Sequence, residues 1–250
     1  MTSPRFQRLE MLIGTDGIKR LRASQVAIIG LGAVGSYAAE ALARAGIGSL
    51  RLVDFDIIRP SNINRQLFAL DSTCGLAKTE AAQRRIQDIN PDCAVQAFRI
   101  FAHRDTIPQI LAPPLEAVID AIDSYTPKVE VIATSVAQGL FIVSSMGAAN
   151  RTDPAAVRAG DLFRTQHCPL ARLLRKRLRR RGVRSGVRCI YSVELPRPVS
   201  DQRNAEEENE YARGRRRTPL GSLPTLPGIF GLWAAQEVIA WLLGWRLVES

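Results

Sequence analysis

Residues 25–56 read QVAIIGLGAVGSYAAEALARAGIGSLRLVDFD, and the reading of this stretch decides the fold. QVAIIG is a short β-branched run that ends in glycine, the pattern of a buried strand. Alanine-rich sequence with apolar residues at helical spacing follows, and Gly46 and Gly48 end it. SLRLVDFD then reads as a second strand. Between the first strand and the helix lies GLGAVG, with Gly30, Gly32, Ala33 and Gly35 in the connection. Glycines there permit a tight turn and close approach of phosphate to backbone at a helix N-terminus. Asp54 ends the second strand, where an acid hydrogen-bonds ribose hydroxyls, and Asp56 follows two residues on. The glycine loop points to a nucleotide without saying which one.

The alternation continues along the chain. GLAKTEAAQRRIQDIN reads as a helix stopped by Pro91. After it come AVQAFRI, a short helical piece, EAVIDAID, the helix TPKVEVIATSVAQ and the strand LFIVSSMGA. Alternation at this spacing predicts an α/β, Rossmann-like fold with a mostly parallel, doubly wound sheet. Residues 1–150 form the expected nucleotide-binding core. Residues 151–250 are expected to be a C-terminal elaboration of the same domain. This part holds a basic segment, a strand-like CIYSVELP, a long polar loop (RPVSDQRNAEEENEYARGRRRTPLGS) expected to be mobile, and an apolar helix.

PSNINRQLF at residues 60–68 separates a nucleotide that is held from one that is cut. Asn62, Asn64, Arg65 and Gln66 place donors just past the ribose acid, and Lys78 opens the next helix. Two cations and several amides suit the β- and γ-phosphates of a triphosphate. A nicotinamide cofactor has only a pyrophosphate, which the glycine loop already serves. Asp123, with Ser124 beside it, follows the fourth strand at the carboxyl end of the sheet, where a carboxylate can hold magnesium. The ordered set describes a triphosphate being cleaved.

Composition bounds the partners. The 250 residues carry a formal net charge of +10, which favours polyanions. Nine of the 17 residues from 172 to 188 are cationic, and residues 162–193 contain no acid. Arg172, Arg175, Lys176, Arg177, Arg179, Arg180, Arg181 and Arg184 are therefore candidates to hold nucleic acid, with Arg213 and Arg215–217 a second cluster. The four cysteines form no C-x-x-C pair, which argues against structural zinc and fits a reducing compartment. No signal peptide is visible, so a cytoplasmic location is expected. GIFGLWAAQEVIAWLLGW (residues 228–245) is apolar, but Gln236 and Glu237 interrupt it, and a central charge costs about 2.5–3.5 kcal/mol in a membrane span. A buried or docking helix is expected, with peripheral membrane association left open.

GLGAVGS, LVDFD, SNINRQ, GLAK and DAIDS, in this order, resemble the adenylating enzymes related to ubiquitin activators, the ThiF/MoeB/HesA group. The resemblance implies ATP, magnesium, a homodimer, and carboxylate activation by attack on the α-phosphate. It places Asp54 on ribose, Asn62, Arg65 and Lys78 on the phosphates, and Asp123 on magnesium. Arg8, in RFQRLEMLIG, matches an arginine that this group donates into its partner's site. The longer match, with GLAKTEAAQRRIQDINPDC, VIDAIDSYTPK and SSMGAANRTDP, is similar to the branch of tRNA threonylcarbamoyladenosine dehydratases. That branch implies tRNA as partner, an alkali-metal ion as a further candidate ligand, and a cysteine desulfurase system as a candidate sulfur-transfer partner. Some of its members carry a cysteine in the loop before the last helix, where this sequence has Ser222 and no thiol. The competing readings are adenylation of a ubiquitin-like sulfur carrier, a nicotinamide-dependent oxidoreductase, and a membrane-attached scaffold that binds nucleotide without chemistry.

Overall fold

The computed structural model describes residues 3–198 and 220–247. Helix α1 (Gln7–Ala23), broken at Gly14, leads into β1 (Gln25–Ile29), α2 (Gly35–Arg44) and β2 (Ser49–Val53). Then come α3 (Lys78–Ile89), β3 (Ala94–Phe98), α4 (Ile107–Ile110), β4 (Ala117–Asp120), α5 (Tyr125–Ala137) and β5 (Phe141–Ser145). The later part adds β6 (Val157–Asp161), α6 (Pro169–Arg179), β7 (Arg188–Ser192) and α7 (Thr225–Leu242). Among the described residues seven strands make one sheet, ordered β3-β2-β1-β4-β5-β7-β6, parallel except where β6 runs against β7. The chain winds outward from β1 in one direction, then returns to lay β4 on its other side. Loops after β1 and β4 therefore meet at the carboxyl edge, where such sheets bind ligands.

Three local differences from the sequence expectation have physical causes. The second strand stops at Val53, short of the predicted Asp56, because the Asp54 carboxylate accepts a hydrogen bond from the Asp56 amide (2.9 Å) and turns the chain. Strand β6 was not expected: VRAGD has little apolar alternation and is held by its pairing with β7. Strand β7 is buried at every position rather than alternating, since β5 and β6 flank it and helices cover both faces of the sheet. Most of the predicted long loop lies outside the described residues, as do Arg213 and Arg215–217.

The core forms two layers, one on each face of the sheet. One packs α2, α3 and α7 and includes Leu42, Ile86 and Phe230. The other packs α4, α5 and α6 and includes Ile110, Ile132 and Leu174. Helix α7 crosses α2 so closely that a Cβ on Gly231 would lie 2.2 Å from the Val34 carbonyl oxygen. Its interrupting acid, Glu237, is buried and takes Arg188 of β7 in two bonds (2.7 and 3.2 Å), with the Trp233 indole N–H at 3.3 Å. Among the described residues no helix is long and apolar enough to cross a membrane.

Helices α2 and α3 are joined through Glu40, which takes Arg44 (2.6 Å) and Arg85 (2.9 Å). Burial alone raises this carboxyl's pKa, but the bonds from Arg85 and Arg44 outweigh it and hold it below the usual glutamate range. A depressed folded pKa gives stabilisation that is present at neutral pH and is lost as pH falls below the unfolded value of about 4.3. Glu40→Gln is accordingly less stable than the unmodified protein to urea at pH 7, and the gap closes as acid protonates the Glu40 carboxylate in the folded protein. A gap that stays constant as the pH falls would contradict the ion-pair assignment.

Candidate nucleotide site

The glycine loop is fixed by two close approaches. Gly30 adopts a left-handed φ of 94°, and a Cβ there would sit 2.8 Å from the Ala121 carbonyl oxygen. A Cβ on Gly35 would sit 1.7 Å from the Gly30 carbonyl oxygen. Both positions exclude any side chain. Gly32 differs: the nearest atom to its added Cβ is Gln66 Nε2, at 3.9 Å. A side chain at Gly32 would fit sterically but would fill the space at the start of α2, beside a buried amide. This is a cradle of the kind that phosphate takes at a helix N-terminus.

Asp54 stands at the rim of that cradle, its carboxylate accepting from Leu31 N (2.7 Å). The loop over residues 60–68 is pinned to the glycine loop, because Leu67 N donates to the hydroxyl of buried Ser36 (3.1 Å). Sequence reasoning missed Ser36, although it directly follows the fingerprint. Asn62 is buried and shapes its own turn: its Oδ1 accepts from Arg59 N (3.2 Å). Arg65 Nη1 donates to the Ser61 carbonyl and to Asn64 Oδ1 (both 2.8 Å). Asn64 also donates to the Ser222 carbonyl (3.3 Å), which brings the segment before α7 over this loop. Lys78, nearly buried, donates to Asp56 Oδ2 at 2.7 Å. The two expected nucleotide contacts Asp56 and Lys78 therefore neutralise each other here.

The connection after β4 rests on a buried network that sequence reasoning missed. Lys128 and Asp120 are both fully buried, with Lys128 Nζ 2.7 Å from Asp120 Oδ2. Ser144 of β5 donates to the same oxygen (2.6 Å), and Asp120 Oδ1 accepts from Ile122 N (3.2 Å). This network sets the turn that carries Asp123, exposed, and Ser124, at the N-cap of α5. Gly30, Gly32, Asp54, Gln66, Lys78, Asp123 and Ser124 thus share the carboxyl end of the sheet.

Arg8 is exposed at the start of α1. It lies one turn beyond Arg5, whose guanidinium donates to the carbonyls of Asp88 (3.2 Å) and Ile89 (3.0 Å) at the far end of α3. Helix rise puts that end about 17 Å from Lys78. Among the expected RNA contacts, Arg175 is half-buried and donates to the Thr165 carbonyl (3.1 Å), while Arg181 forms a two-bond pair with Glu130. The other six are exposed on or just past α6. Three of the four thiols are poorly placed for chemistry: Cys93, Cys168 and Cys189 are buried, and burial pushes Cys93 up to about 11 and Cys189 higher still, while Cys74 is half-buried.

The chain is 39% identical over 239 residues to tRNA threonylcarbamoyladenosine dehydratase of Bacillus subtilis (strain 168), which covers 95% of this chain and 94% of that protein. Molybdopterin-synthase adenylyltransferase of Haemophilus influenzae is 34% identical, over 44% of each chain. A crystal structure of E. coli tRNA N6-threonylcarbamoyladenosine dehydratase in complex with ATP aligns with a TM-score of 0.85 at 32% identity, covering 96% of this chain and 94% of that one. The profile of the ThiF family matches residues 6–250, and the chain belongs to that family.

Proposed function

We propose that the protein is an ATP-dependent tRNA threonylcarbamoyladenosine dehydratase, which activates the threonyl carboxylate of the modified adenosine at position 37. One observation carries the reading: the likeness to named dehydratases runs over nearly the whole chain, whereas the carrier-activating relative matches less than half. The carboxylate attacks the α-phosphate, forming an acyl–phosphate bond and releasing pyrophosphate. The neighbouring carbamoyl group then attacks the acyl carbon, AMP leaves, and a ring closes with net loss of one water. Because the nucleophile belongs to the substrate, ring closure needs mainly orientation, which is worth about 7–11 kcal/mol. It needs no enzyme thiol, in keeping with the burial of Cys93, Cys168 and Cys189.

In this reading Asp54 holds ribose, the Gly32 cradle takes phosphate, and Arg65 and Lys78 stabilise charge on the leaving phosphates. Asn62 and Asn64 hold the loop that presents Arg65. Magnesium fits Asp123 only together with nucleotide, since no group of three His, Cys, Asp or Glu side chains able to hold a metal is present among the described residues. One carboxylate plus substrate phosphates is an ordinary magnesium arrangement. Arg8, beside the far end of α3, serves the site of a second copy in a homodimer. The exposed Met11 and Leu12 beside it (78% and 76%) suit a surface that a second copy covers.

The test incubates purified protein with ATP, magnesium and bulk tRNA bearing threonylcarbamoyladenosine, then weighs the gently released nucleosides. A product lighter by one water, formed by the unmodified protein and lost in Arg65→Ala, is expected. Nucleotide binding with no change in mass would overturn the dehydratase reading in favour of a ubiquitin-like carrier.

A further inference from the structure

We infer that the exposed face of α6 and the turn after it, carried by Arg172, Lys176 and Arg180, is the surface that grips the tRNA backbone beside the nucleotide site. The inference rests on the tRNA reading above and sorts the basic tract by what each cation does. Helix α6 buries Ala171, Leu174 and Leu178 against the core, the spacing of one helical face. Arg175 is spent on the Leu162 and Thr165 carbonyls, Arg181 on Glu130 and Arg188 on Glu237. Arg177 and Arg179 lie over the rings of Tyr125 (5.8 Å) and Phe163 (5.6 Å). Arg172, Lys176 and Arg180 remain on α6 and the turn directly after it, with Arg184 farther along the chain, and no carboxylate among the described residues pairs with the first three.

Those three stand at successive four-residue steps, so each cation repels the next along the helix. A face that served only solubility would interleave acids, as α3 does with Glu80 and Arg84. A row of like charges with no internal counter-charge is complementary to a polyanion with regularly spaced charges, and an RNA backbone is one. The surface is also bolted to the site. Tyr125, the first residue of α5, donates its hydroxyl to the Leu173 carbonyl (2.9 Å) and carries Arg177 on its ring. Tyr125 directly follows Ser124 and lies two residues from Asp123. A strand gripped by α6 is thereby held at the rim of the proposed ATP site rather than on a remote face. Contacts of this kind position the RNA and leave choice of the base to the site itself.

The test compares binding of bulk tRNA by the unmodified protein and by an Arg172→Ala/Lys176→Ala/Arg180→Ala variant across a potassium chloride series. A second variant, Lys19→Ala/Arg84→Ala/Arg158→Ala, removes three cations elsewhere. Each lost phosphate contact lowers the log–log salt slope by about 0.7–0.9. Raising salt from about 50 to about 200 mM then weakens the unmodified protein roughly 20–40-fold more than the α6 variant. The control variant keeps the unmodified slope, and ATP binding by calorimetry is the same in all three. Equal slopes in the unmodified protein and the α6 variant, or an equal loss in the control, would overturn the surface. So would an α6 variant that loses binding to phosphatidylserine-rich vesicles while keeping its tRNA slope, since the face would then serve lipid. The nucleoside assay separates the two readings: a lowered tRNA slope with no dehydrated product in the unmodified protein rejects the chemistry and keeps the surface.

Discussion

Lys128→Met melts roughly 6–20 °C below the unmodified protein, the largest stability loss expected from a single side chain here. Methionine approximates the lysine stem and removes the ammonium with its charge and its bonds to Asp120, leaving the carboxylate buried with Ser144 and Ile122 N as its remaining partners. Breaking a buried pair by removing one member costs about 3–5 kcal/mol. For a chain of this size each kcal/mol shifts the midpoint by about 2–4 °C. The double variant Asp120→Asn/Lys128→Met recovers most of the loss, because the amide oxygen still accepts from Ile122 N, the amide NH2 donates to the Ser144 hydroxyl in the place of the second oxygen, and no charge is stranded. Thermal melts of the three proteins check this. A single variant that melts with the unmodified protein would show that the pair contributes nothing to stability. Nucleotide affinity is a second readout: the network shapes the turn that bears Asp123 and Ser124, so the single variant also binds ATP more weakly at the temperature where both proteins are folded.

Lys78→Ala lowers formation of the dehydrated nucleoside by about 10²–10³-fold, the usual cost of removing a preorganised group that stabilises developing charge. Lys78 is nearly buried and already aimed by Asp56, so no reorganisation is needed once phosphate takes over from the carboxylate. Lys78→Arg does not restore the rate, since a planar fork cannot replace a compact ammonium in a pocket shaped for it. Single-turnover measurements at saturating ATP are the appropriate check. Undiminished turnover in Lys78→Ala would remove the residue from the chemistry and leave it as the structural partner of Asp56.

The unit from β1 to β2 was legible because local signals agreed: glycine punctuation, helical spacing and an acid at a strand end all lie within residues 25–56. Glycines 30 and 35 were readable for the same reason, and the structure adds only the carbonyl oxygens that enforce them. What escaped depends on partners distant in sequence. Strand β6 exists through its pairing with β7 and has almost no alternation of its own. Asp56 and Lys78 were both singled out, but their mutual pairing spans 22 residues and a loop. Lys128 did carry a signal. It stands at helical spacing from Val131, Ile132 and Ser135, all buried, so a cation on the apolar stripe of TPKVEVIATS already asked for a buried acid. In the basic tract, composition pointed to a polyanion, yet only packing tells Arg175 and Arg181 from Lys176.

The close crossing of α7 over α2 has a consequence for how the protein comes into being. The ribosome releases α2 early and α7 late, yet Phe230, Ala234 and Val238 fill the layer that α2 needs on one face of the sheet. Glu237 also supplies the buried carboxylate that pairs with Arg188 of β7. During synthesis, half of the sheet therefore waits with an open apolar face until the residues of α7 emerge. A chain halted before them offers chaperones and proteases a wide sticky surface rather than a nearly finished fold.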